Sequence, residues 1–98
     1  MGYEIYVDDI VLKKVEKFTL TERNVFFNKL DFLKNNPDHP SLRTEKMFKG
    51  TKKDVRASSI NMGIRIFWTL EENMIFINDV GRHDTYRKYN KGKRRRSQ

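Results

Sequence analysis

Val55-Arg-Ala-Ser-Ser-Ile60, Ile64-Arg-Ile-Phe-Trp-Thr-Leu70 and Met74-Ile-Phe-Ile-Asn-Asp-Val80 follow one another, parted only by Asn61-Met-Gly63 and Glu71-Glu-Asn73. The three runs are rich in Ile, Phe and Val, the residues that suit a pleated, half-buried surface. Both spacers have hairpin-loop length, so each run folds back on the one before it and an antiparallel meander follows. Side chains alternate across a strand, which puts Arg65, Phe67 and Thr69 on one face and turns Trp68 the other way. An arginine standing in the middle of such a strand is unusual.

Upstream of the meander, Arg43–Phe48 is expected to form a further strand that ends in a turn at Gly50. Before it, Asn35-Asn-Pro-Asp-His-Pro40 is a helix stop, because residues ahead of proline avoid the α region. The helix that it stops has an apolar stripe of Leu20, Phe26, Phe27, Leu30 and Leu33. It opens at Thr19-Leu-Thr-Glu22, which has capping-box spacing. An earlier helix, capped by Asp8 or Asp9, carries Ile10, Val11, Val15 and Phe18 at helical spacing, and Tyr3–Val7 reads as a first strand. The expected fold is therefore α+β. Two N-terminal helices pack on a four-stranded, mainly antiparallel sheet, in the order β-α-α-β-β-β-β or with the first two C-terminal strands merged. Residues 1–90 make a single domain, and 91–98 form a flexible basic tail.

Ninety-eight residues allow one core; at this size only about 60–65% of the unfolded surface can be buried. Seven Phe, four Tyr and one Trp supply core volume that disordered chains lack. The absence of Cys excludes a disulfide scaffold, cysteine catalysis and a thiolate metal site. No apolar run approaches membrane-spanning length and the N-terminus has no signal-peptide pattern, so a cytoplasmic protein without a membrane partner is expected.

The net charge of +8 is unevenly spread. Residues 1–42 carry net −1, and residues 43–56 carry net +4 from Arg43, Lys46, Lys49, Lys52, Lys53 and Arg56 against two acids. Residues 57–81 carry net −2 and residues 82–98 net +7. Two basic blocks thus flank a nearly neutral body, as expected of a single anion-binding surface.

There is no phosphate-binding glycine loop, no nucleophile elbow and no metal-site spacing, so neither metal nor cofactor is expected. Of the two histidines, His39 sits in a rigid proline turn, whereas His83 follows the last strand beside Arg82, Asp84 and Tyr86. RNA cleavage by its own 2′-hydroxyl fits this inventory. The substrate brings the nucleophile; the protein needs a base, an acid, and a cation on the phosphorane-like transition state. Arginine suits the last role and histidine either of the first two. Composition alone leaves simple RNA or DNA binding equally open.

Asn36-Pro-Asp-His-Pro-Ser-Leu-Arg-Thr-Glu-Lys-Met-Phe-Lys-Gly50 resembles a conserved-looking segment of the RelE/ParE toxin superfamily. Arg56 with Gly63-Ile-Arg-Ile-Phe-Trp68 resembles that superfamily's strand pair, and Asp79-Val-Gly-Arg-His-Asp-Thr-Tyr86 its closing motif. The resemblance implies a small α+β, microbial-RNase-like toxin of a type II toxin–antitoxin pair, neutralised by an acidic antitoxin. Most such toxins are metal-independent endoribonucleases that cut mRNA in the ribosomal A site, against 16S rRNA. By position, Arg65 matches the arginine at the scissile phosphate, His83 a general acid or base, and Tyr86 an aromatic that orients the substrate. Glu45 falls where YoeB-like relatives carry a proposed base. Lys46, Lys49, Lys52, Lys53 and Arg56 match an RNA-binding loop, and Arg82 and Arg87 extend that basic surface. ParE-type members keep the fold, target DNA gyrase and lack the nuclease residues; Arg65, His83 and Tyr86 together point to the nuclease branch. The alternatives are a gyrase inhibitor and a non-catalytic RNA-binding module.

Overall fold

A computed structural model describes residues 2–47 and 55–82. The chain order is β1 (Glu4–Val7), α1 (Asp9–Val15), α2 (Leu20–Asn35), a 3-10 turn (Pro40–Leu42), β2 (Glu45–Lys46), β3 (Arg56–Ser59), β4 (Arg65–Glu71) and β5 (Met74–Gly81). Both helices begin where side-chain oxygens replace missing backbone acceptors. Asp8, rather than Asp9, caps α1, its Oδ1 accepting from the Ile10 N–H at 3.0 Å. At α2 the box is reciprocal: the Glu22 N–H donates to Thr19 Oγ1 at 3.1 Å and the Thr19 N–H to Glu22 Oε1 at 3.0 Å. α2 ends at Asn35, because Asn36 takes extended backbone ahead of Pro37.

The sheet has five strands in the spatial order β1-β5-β4-β3-β2, against the four expected. β2 and β3 stay separate, and β1 adds an edge, pairing parallel to β5 from Glu4↔Met74 to Val7↔Ile77. The remaining pairs are antiparallel, as the two hairpin loops require. The expected strand Arg43–Phe48 is cut to two residues, since Arg43 adopts φ 49 as the cap of the 3-10 turn and cannot continue an extended backbone. Phe48, the turn at Gly50 and the basic tail 91–98 lie outside the described residues.

α1 and α2 cover one face of the sheet. The core between the layers holds Val11, Val15, Phe26, Leu33, Leu42, Ile60, Ile64, Ile66, Trp68, Ile75, Ile77 and Val80. Each such side chain contributes about 1.5–3 kcal/mol through burial, against the entropy of ordering it. One bulge makes the β5 set possible. Phe67 pairs with Asp79 but Trp68 with Ile77, so Asn78 is an extra residue, and Ile77 and Val80 both reach the core although three apart. Three expected core members are exposed instead: Ile10, Leu20 and Phe27. Each lies about 100° or more around its helix from the buried line of Val11–Val15 or Phe26–Leu33, so the apolar stripe is narrower than the residue types suggest. On the far side of the sheet Met47, Val55, Ala57 and Phe67 form a second, smaller apolar cluster. No helix among the described residues is long and apolar enough to cross a membrane.

Candidate functional site

The register fixes which charged residues meet. In the antiparallel ladder Glu45 pairs with Ala57, and Ala57 with Phe67. Arg65 lies two residues before Phe67 in β4 and so shares its face, the one turned away from α1 and α2. Glu45, across β3, points to that same face. The two side chains meet, with Arg65 Nη1 donating to Glu45 Oε2 at 2.9 Å. They are 34% and 45% exposed, so the pair is held by strands yet open to solvent. Arg65 also stands opposite Gly81, the last residue of β5, and His83 comes two residues later in the chain.

A carboxylate and a guanidinium in contact offer a proton acceptor and a planar cation that binds two phosphate oxygens at once. An anion arriving at Arg65 competes with Glu45 for the guanidinium and leaves the carboxylate free to accept a proton. The pairing therefore serves as a resting state from which both groups can be drawn.

Three other expected RNA contacts stand elsewhere. Lys46 and Arg56 are register partners, one residue out of phase with Glu45 and Ala57, and so belong to the helix-facing side. The Arg56 guanidinium lies 5.5 Å from the centroid of the Trp68 ring, a core residue. Arg82 also turns toward the helices. Its Nη2 donates to Glu22 Oε2 at 3.1 Å, and the guanidinium sits 5.8 Å from the Phe18 ring. The Thr19 backbone N–H and then the Arg82 guanidinium hold the Glu22 carboxyl below its ordinary value. Arg82 thereby ties the end of β5 to the start of α2. Lys49, Lys52, Lys53, His83, Tyr86 and Arg87 lie outside the described residues.

His39 occupies the structural position expected of it. Its Nδ1 accepts from the Ser41 N–H at 3.1 Å, and its ring lies 4.7 Å from that of Phe32. An accepting Nδ1 requires the tautomer protonated at Nε2. Sequence reasoning passed over Thr44 and Ser58, which support β2 from behind. The available signal was Ser58-Ser59, two small polar residues in a strand otherwise built for burial.

No family model matches the sequence, and no curated protein matches it either. Solved structures do. The archaeal RelE–RelB complex from Pyrococcus horikoshii OT3 aligns with TM-score 0.71 at 17% identity, over 84% of this chain and 96% of that one. The isolated E. coli RelE toxin aligns with TM-score 0.58 at 20% identity, over 95% and 97%. A copper-bound mutant toxin from Helicobacter pylori aligns with TM-score 0.56 at 15% identity, over 85% and 97%. Nearly the whole length of each toxin is matched, by a chain whose strand order, helix pair and bulged meander come from its own residues: it has the fold of the RelE toxins.

Proposed function

We propose that this chain is the toxin of a toxin–antitoxin pair and acts as a metal-independent mRNA endoribonuclease in the ribosomal A site. The observation that carries this reading is the Glu45–Arg65 contact at 2.9 Å on the face of a RelE-type sheet turned away from the helices. Glu45 accepts the proton of the 2′-hydroxyl. The freed oxygen attacks the adjacent phosphorus, the bond from phosphorus to the 5′-oxygen breaks, and a 2′,3′-cyclic phosphate remains. Arg65 neutralises the charge that accumulates on the non-bridging oxygens. His83 delivers the proton that the departing 5′-oxygen needs, a role its pH range suits. Tyr86 orients the nucleotide by stacking. Lys49, Lys52, Lys53 and Arg87 bind the phosphates of mRNA or 16S rRNA. An acidic antitoxin complements the net charge of +8, and capture of the archaeal relative as a RelE–RelB complex supports such a partner.

The test is induction of the toxin without its antitoxin, followed by primer extension across abundant mRNAs. Discrete cuts with the wild type and none with Arg65→Ala are expected. Intact mRNA together with a DNA-damage response would overturn the nuclease reading in favour of a gyrase inhibitor. Intact mRNA with unhindered growth would reduce the chain to a binding module.

A further inference from the structure

Behind the Glu45–Arg65 pair, on the helix-facing side of the sheet, three polar side chains form a line of hydrogen bonds. The Trp68 indole N–H donates to Ser58 Oγ at 2.9 Å, and Ser58 Oγ lies 2.6 Å from Thr44 Oγ1. Ser58 is fully buried and Trp68 almost so. A hydroxyl in an aliphatic core is costly unless it is bonded, and this one has partners on both sides. The places these residues hold in the chain give the line its meaning. Thr44 immediately precedes Glu45, Trp68 lies three residues beyond Arg65 in β4, and Ser58 sits on β3 between the two strands. β2 itself offers little restraint, being two residues long with two register pairs. The chain also enters it through a sharp bend at Arg43, φ 49.

We infer that Ser58 is a positioning residue for the Glu45–Arg65 pair. It fixes Thr44, and through it the start of β2, against the strand that carries Arg65. Without that tie, β2 is free to shift along or away from β3, and a carboxylate displaced by 1 Å no longer meets the guanidinium at hydrogen-bond distance. The catalytic consequence rests on the proposed nuclease reading; the geometric one does not.

The experiment uses the full chain and two readouts. The first is the side-chain N–H resonance of Arg65 in 15N-resolved NMR, with Arg82, paired to Glu22, as internal control. Ser58→Ala is expected to move the Arg65 signal in the direction that Glu45→Gln moves it, and to leave Arg82 unchanged. Thr44→Val, which keeps the size of the side chain, does the same and decides the matter should Ser58→Ala fail to fold. The second readout is single-turnover mRNA cleavage on programmed ribosomes. There both variants lose up to about a hundredfold in rate with substrate affinity retained, and neither adds a further loss in the Glu45→Gln background. A folded Ser58→Ala or Thr44→Val protein with an unmoved Arg65 signal overturns the inference, whatever its melting temperature, because a merely structural hydroxyl would lower stability alone. Should the wild type cut no RNA, the nuclease reading fails while the Arg65 signal still decides the positioning role.

Discussion

Replacing Arg65 by Gln separates stability from chemistry more sharply than any other single change in this fold. Glutamine keeps much of the aliphatic stem and removes the charge and the planar fork. On the stability side, the lost contact is one ion pair whose partners are 34% and 45% exposed. Exposed pairs of this kind contribute about 0.2–1 kcal/mol, and a domain of this size melts about 4–8 °C lower per kcal/mol lost. The melting temperature should therefore fall by less than about 8 °C. On the chemical side, removing one preorganised group from a developing oxyanion costs about 10²–10³ in rate, or about 2.7–4 kcal/mol. The assay is paired: calorimetric melting of the purified variant, and single-turnover cleavage of mRNA on programmed ribosomes. A variant that melts near the wild type and cuts at least about a hundred times more slowly supports the assignment. A cleavage rate within about fivefold of wild type refutes it. So does a destabilisation beyond about 3 kcal/mol, which would mark Arg65 as a structural residue whose exposure misleads.

Other outcomes follow from the same contacts. Because the folded state holds the Glu22 carboxyl below its ordinary value, that group adds stability above the ordinary carboxylate range and loses it as pH falls through the lowered value; urea midpoints of Glu22→Gln should therefore decline less steeply on acidification than those of the wild type, and parallel curves would count against the Thr19 and Arg82 contacts. Glu72, at φ 58, is the first of two residues joining β4 to β5, so Glu72→Gly removes left-handed strain at some entropic cost and should raise stability by about 0.5–1 kcal/mol; a lower melting temperature would contradict it. Ile66→Ala should cost about 2–5 kcal/mol in chemical denaturation, whereas Ile10→Ala at an exposed site should stay within about 0.5 kcal/mol.

The parts of the fold readable in the sequence are those governed by local rules. Thr19 and Glu22 specify a helix start with their own side chains, Pro37 dictates the helix stop, and the two short spacers force the meander. What escaped reading depends on partners distant in the chain. β1 looks like any short apolar run, and only the free edge of β5 makes it a fifth strand. The bulge at Asn78 leaves no local mark, since Asn is tolerated in many settings, yet it alone brings both Ile77 and Val80 to the core. Ile10, Leu20 and Phe27 were counted by residue type, and helix geometry turns them outward. At the site, Glu45 and Arg65 were each legible as candidates, but their contact rests on a register that spans three strands. Thr44 and Ser58 carry no chemical signature until that register places them behind the pair.

The charge pattern shows why counting cations overestimates a binding surface. In the sequence Lys46, Arg56, Arg65 and Arg82 look like members of one basic system. In the sheet, parity divides them. Register partners in an antiparallel ladder share a face, and each single step along a strand reverses it. Arg65, opposite Ser59, falls on the face turned away from the helices, while Arg56, opposite Trp68, falls on the other. Lys46 follows Arg56 because it is its partner, and Arg82 closes on Glu22 and Phe18 beside α2. Phosphates running past Arg65 therefore meet a different set of cations from those grouped with it along the chain. The price of removing Arg56 or Arg82 falls first on the packing of Trp68 and on the cap of α2, and only the removal of Arg65 falls directly on the exposed carboxylate beside it. Two basic blocks flanking a neutral body thus describe the order of the chain, whereas the anion-binding face follows the two-residue period of the pleat.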